Sequence, residues 1–122
     1  MKTILIVDDS RIMRNIVKNT FEELKIPSQY LEAADGKKAI QLLEMNKVDL
    51  VFLDWNMPEM DGLEFLQRVR AMSDYAELPI IMVTSEAAKY HVIEALQAGA
   101  TDYIIKPVHE KTFKEKVLEI KF

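Results

Sequence analysis

Four short apolar runs in this chain each end on a polar residue of a different kind. Ile4-Leu5-Ile6-Val7 meets Asp8-Asp9, and Leu50-Val51-Phe52-Leu53 meets Asp54. Ile80-Ile81-Met82-Val83 meets Thr84, and Tyr103-Ile104-Ile105 meets Lys106. Runs of this length, rich in β-branched residues and separated by helical patterns, read as buried strands of a parallel sheet. The first strand is expected from about Thr3 to Val7. A helix follows from near Ser10, with Ile12, Met13, Ile16, Val17, Phe21 and Leu24 as its inward stripe, and Ile26-Pro27 ends it. Tyr30, Leu31 and Ala33 predict a weaker, partly polar strand suited to a sheet edge.

Asp35-Gly36 turns the chain into a helix carrying Ala39, Ile40, Leu42 and Leu43. After Asp54 the loop Met57-Pro58-Glu59-Met60-Asp61-Gly62 leads to a helix around Leu63, Leu66 and Val69. Pro79 opens the fourth strand. The next helix is expected to turn Val92, Ile93 and Leu96 inward and to stop at Gly99 in a left-handed cap. The last strand spans about Thr101 to Ile105, and a final helix puts Phe113, Val117 and Ile120 on one face.

Strand and helix alternate five times with short connections and no repeat or linker. The pattern predicts one domain over residues 1–122, a doubly wound α/β fold with a five-stranded parallel sheet and helices on both faces. Strand order is not set by the pattern alone. A strongly apolar first strand and a polar second favour 2-1-3-4-5, with a crevice between strands one and three. In any parallel sheet the carboxyl ends share one edge, so Asp8, Asp9, Asp54, Thr84 and Lys106 would converge there.

Composition narrows the chemistry. At 122 residues there is one core, large enough to bury about two thirds of the unfolded surface. A net charge of -4 argues against generic nucleic-acid binding. The absence of cysteine excludes disulfides, thiolate nucleophiles and Cys-based metal sites. The first apolar run is too short for a signal peptide or a membrane span, so a soluble cytoplasmic chain without a membrane partner is expected. The only glycines are Gly36, Gly62 and Gly99, which leaves no P-loop and no GxGxxG turn. Any phosphoryl group must therefore arrive on another molecule.

The acids have a plain alternative reading. Asp8 and Asp9 precede a helix and could cap it. Ser10 is already available for that role, however, and a second carboxylate adds repulsion without a further cap. Asp54 is harder to explain so, because no helix begins there. Three clustered carboxylates repel by roughly 1 kcal/mol per pair in water, and more inside a protein. A divalent cation removes that repulsion, and an oxygen-only site with few ligands suits Mg²⁺. Three aspartates and Lys106 sum to two negative charges, which one Mg²⁺ neutralises. Lys106 could be a solvated strand end, and Thr84 alone says little.

At these intervals Asp8-Asp9, Asp54, Thr84 and Lys106-Pro107 resemble the receiver domain of two-component response regulators, with its flavodoxin-like fold. The resemblance covers essentially the whole chain and is closest to stand-alone, CheY-type chemotaxis regulators. Val7-Asp8-Asp9-Ser10-Arg11, Asp54-Trp55-Asn56-Met57-Pro58 and Gln97-Ala98-Gly99-Ala100 support it. It implies that Asp54 is the phosphoacceptor for a CheA-like histidine kinase. It also implies Mg²⁺ held by Asp9, Asp54 and the Asn56 main-chain carbonyl, with Asp8 acting through water. Lys106 would pair with the phosphoryl oxygens, and the Lys106-Pro107 bond would be cis. Thr84 would swing to a phosphoryl oxygen and let Tyr103 turn inward, changing the partner preference of the face made by helix four, strand five and helix five. Asn56 and Glu86 would control water access to the acyl phosphate. Val108 departs from the pattern, since an aromatic usually follows Lys-Pro, and a looser start to helix five is expected.

The chain ends directly after helix five, so no output domain is expected. A monomer would deliver its signal by contact, with the flagellar motor switch as downstream partner and a phosphatase as a further one. The rival enzyme is an aspartyl-phosphate phosphatase of the haloacid dehalogenase type. That chemistry needs an acid two residues beyond the nucleophile, where this chain has Asn56. Other features have plainer expectations. His91 and His109 are lone surface histidines, and the seven methionines are mostly core filler. Lys111, Lys114, Lys116 and Lys121 form a solvated face which, with Lys89 and Lys106, could suit an acidic partner.

Overall fold

The computed structural model describes residues 1–85 and 89–122. In chain order the elements are β1 (Lys2–Val7), α1 (Arg11–Glu22), β2 (Ser28–Ala33), α2 (Gly36–Met45), β3 (Leu50–Leu53) and α3 (Gly62–Arg70). A short 3₁₀ turn (Ser73–Tyr75) precedes β4 (Ile80–Thr84), α4 (Lys89–Gln97), β5 (Asp102–Ile105) and α5 (Glu110–Leu118). All strand pairs are parallel and their order is β2-β1-β3-β4-β5, which makes the polar second strand an edge as its sequence implied. Among the described residues no helix is long and apolar enough to cross a membrane.

Alternation along each strand divides the core in two. Leu5, Val7, Val51, Leu53, Ile80, Met82 and Tyr103 point to one face, where Ala39, Leu43, Phe65, Leu66, Val69 and Ala95 from α2, α3 and α4 cover them. Ile4, Ile6, Leu50, Phe52, Ile81, Val83 and Ile104 point to the other, under Val17, Phe21, Phe113 and Val117 from α1 and α5. Continuous apolar runs are what a sheet covered on both faces requires.

Caps and turns set the helix starts. Ser10 is the N-cap of α1, its hydroxyl accepting from the Met13 N–H, while Asp35 and Asp61 cap α2 and α3 through Lys38 and Glu64. Gly99 is left-handed at φ 109°, as expected for the end of α4. His109 holds the N-cap position of α5 without a side-chain capping bond, and Val108 before it packs half-buried on the core.

Two helical stripes differ from expectation. On α1, Ile12 and Ile16 are 73% and 38% exposed, and Val17 and Phe21 are its buried residues. On α4, Ile93 and Leu96 are each 45% exposed and Ala95 is the buried residue. Both helices bury a narrower arc than their apolar spacing offers, because each meets the sheet along one side only. Of the methionines, Met82 is fully buried, whereas Met1 and Met45 are exposed and Met57 and Met60 fringe the core. Lys116 does not stand free in solvent, since it pairs with Asp102 at 2.8 Å.

Candidate functional site

The sheet ladder itself brings the polar strand ends together. The Asp54 N–H donates to the Val7 carbonyl at 2.9 Å, and the Asp8 N–H to Ala33 at 3.0 Å. The Lys106 N–H donates to the Thr84 carbonyl at 2.9 Å. Asp8, Asp54 and Lys106 are thus each the first residue past a strand, with the main chain still held by the neighbouring strand, and Thr84 is the last residue of β4.

Asp8, Asp9 and Asp54 offer carboxylate oxygens that all lie within 4.8 Å of one another. Asp8 and Asp54 are buried, and Asp9 forms the exposed lip. Lys106 Nζ lies 3.0 Å from Asp8 Oδ2 and 3.5 Å from Asp54 Oδ1. Asp54 Oδ1 also accepts the Trp55 N–H at 2.8 Å, and its carboxylate is bonded by the Thr84 side chain. Burial pushes the Asp54 carboxyl above its ordinary range and the charge of Asp8 pushes it further. The Lys106 ammonium, the Trp55 N–H and the Thr84 hydroxyl pull in the opposite direction, and the upward causes win. Ionised Asp54 is therefore less well stabilised here than in water, first by burial and then by the charge of Asp8.

The donor set is all oxygen, largely desolvated, and carries two more negative than positive charges when Lys106 is included. This fits a hard divalent cation such as Mg²⁺ and does not fit a soft, thiolate-seeking metal. Asn56, whose carbonyl was expected as a further ligand, is exposed in the loop leaving Asp54. Glu86 lies outside the described residues. Tyr103 is already inward, 5% exposed and part of the core cluster that holds Trp55. The Lys106–Pro107 bond is cis.

Three contributors escaped the sequence reading. Arg14 donates to the Asp8 carbonyl at 2.7 Å and to Glu32 at 2.9 Å, tying the acidic turn to the edge strand. Gly62 donates its N–H to the Trp55 carbonyl at 2.7 Å, and a Cβ there would stand 2.2 Å from the Asp54 carbonyl oxygen. Only glycine lets α3 begin so close to the main chain of Asp54. His91, expected on a helix surface, packs edge-on against Trp55 with ring centroids 4.9 Å apart. None of these has a local signal beyond residue type, apart from the placement of Gly62 just after the capping Asp61.

Comparison with known proteins agrees with this geometry. The family described as "Response regulator receiver domain" matches residues 4–118. The "Chemotaxis protein CheY homolog" of Campylobacter jejuni is 48% identical over 118 residues, which cover 96% of this chain and 90% of that protein. "Chemotaxis protein CheY1" of Helicobacter pylori is 46% identical over 115 residues, 93% of this chain and 92% of that one. Among solved structures, Vibrio cholerae chemotaxis protein CheY4 superposes with a TM-score of 0.88 at 32% identity, covering 99% of both chains.

Proposed function

This chain belongs to the response regulator receiver domain family, of the kind found in CheY chemotaxis proteins, and from that premise we propose that Asp54 is its phosphoacceptor. The observation that carries the proposal is the position of Asp54: desolvated, ringed by Asp8, Lys106, Thr84 and the Trp55 N–H, at the mouth of the sheet. A carboxylate oxygen of Asp54 attacks the phosphorus of a phosphohistidine on a CheA-like kinase. An O–P bond forms, the N–P bond breaks, and the imidazole nitrogen leaves with the electron pair and takes a proton from water. Attack needs the ionised carboxylate, which predominates above the raised pKa.

Lys106 turns from two carboxylates toward the incoming phosphoryl oxygens, a charge-assisted pairing stronger than a neutral hydrogen bond. Thr84 donates its hydroxyl to the same group. Asp9, Asp54 and the Asn56 carbonyl would hold Mg²⁺, with Asp8 acting through water, and the ion would supply neutralisation of the charge that builds during transfer. Asn56 and Glu86 govern how readily water reaches the acyl phosphate. The acyl phosphate favours one of two arrangements of Thr84, Tyr103 and the α4-β5-α5 face, and shifts their balance only by its differential stabilisation. That face passes the signal by contact to a downstream protein such as the flagellar motor switch, and a phosphatase ends it.

Trp55 is the only tryptophan in the chain and adjoins Asp54, so its emission reports on the site directly. Its intensity is expected to change on adding Mg²⁺ and again on adding acetyl phosphate. In Asp54→Asn the second change should vanish, together with the mass increase of one phosphoryl group. A chain that still gains that mass in the variant would overturn the acceptor assignment.

A further inference from the structure

Both main-chain polar groups of Trp55, the residue after Asp54, are held. The N–H of Trp55 donates to Asp54 Oδ1 at 2.8 Å, and the Trp55 carbonyl accepts from Gly62 at 2.7 Å. Its indole, 7% exposed, meets the imidazole of His91 with planes inclined at 68°. That is the edge-to-face arrangement aromatic rings prefer. His91 belongs to α4 and also lies against the Tyr90 ring, centroids 4.2 Å apart. Tyr90, Ile93 and Leu96 on the same helix are exposed, Tyr90 at 68%. One imidazole therefore stands between the acceptor loop and the apolar outer surface of α4.

An indole held by a helix cannot turn unless the helix gives way. Its orientation constrains the Trp55 backbone and so the direction of the N–H that fixes Asp54. Small displacements of a nucleophile are costly in rate. We propose that His91 is a positioning residue for phosphoryl transfer, its ring against Trp55 holding the Asp54 carboxylate in the attacking orientation and linking it to α4. The proposal rests on Asp54 being the acceptor. Because linkage is reciprocal, whatever displaces α4 alters the acceptor, and acyl phosphate formation alters α4.

The test uses the purified full chain with Mg²⁺ and varied acetyl phosphate, reading phosphoryl uptake by mass and Trp55 emission in the resting protein. His91→Ala is expected to lower the maximal transfer rate roughly tenfold, inside the ~100-fold that an ångström of misplacement can cost. The donor concentration for half-maximal rate should be unchanged, and the resting emission should move to longer wavelength. His91→Phe, which keeps an aromatic edge at the indole, should restore rate and emission. If His91→Ala melts below the assay temperature, His91→Asn takes its place, being polar without the aromatic ring. Wild-type rate and emission in a cooperatively folded His91→Ala would overturn the proposal, as would a Phe variant no better than Ala. A wild-type chain that takes up no phosphoryl group would instead overturn the acceptor assignment itself, so the two failures are distinct.

Discussion

At the scale of single residues, Asp54 shows how the proposed acceptor role opposes stability. Its carboxyl pKa is raised in the folded chain by burial and by Asp8, so the native state binds its proton more tightly than the unfolded chain does. Linkage then gives the sign: this contribution is fully present below the ordinary value of 3.8 and is lost as pH rises through the raised value. At neutral pH the ionised Asp54 is therefore a net burden on the fold. Asp54→Asn should be more stable than wild type at pH 7 by roughly 1 kcal/mol, the scale of one like-charge pair. The advantage should shrink to nothing in acid, as followed by thermal melts across pH. Asp54 itself was legible in the sequence because no cap role explains an acid that ends a strand and precedes no helix. Arg14 and His91 were not legible, because each reaches the site from a helix whose placement only the packed sheet defines.

At the scale of elements, strands were legible and helix faces only in part. A buried parallel strand needs apolar residues at every position, which leaves little ambiguity. A helix needs them on one arc only, and α1 and α4 both carry more apolar residues than the sheet covers. Ile12 and Ile16 on α1, and Tyr90, Ile93 and Leu96 on α4, are left on the outside. Stability measurements should separate the two kinds of position on α1. Phe21→Ala is expected to cost about 3–5 kcal/mol, because Phe21 is fully buried and its ring contacts Tyr30, Phe52 and Phe122. Ile12→Ser should stay within about 0.5 kcal/mol of wild type in the same denaturant titration. A large loss for Ile12→Ser would mean that the outer face of α1 is covered.

At the scale of the whole molecule, the sheet concentrates acids from β1 and β3 at one edge and brings a single lysine from β5 to meet them. The cluster should make the fold responsive to divalent cations. If Mg²⁺ binds the native state alone, a concentration ten times its dissociation constant stabilises by about 1.4 kcal/mol. That gain should appear as a rise in melting temperature, and it should be largely absent in Asp9→Asn, which removes the exposed ligand while leaving the buried pair. A rise of equal size in the variant would show that the ion acts elsewhere.

The sequence by itself determined the alternation of strands and helices, the polar edge strand, the caps at Ser10 and Gly99, and which side chains end each strand. Those follow from local periodicity and turn chemistry, which neighbouring residues express without help. The tertiary structure alone decided that Lys106 reaches both Asp8 and Asp54, that Thr84 bonds the Asp54 carboxylate, that α3 must begin on a glycine, and that His91 of α4 touches Trp55 beside Asp54. These are meetings between segments far apart in the chain. Their distances depend on the strand register and helix packing of the whole domain, and no local pattern encodes them.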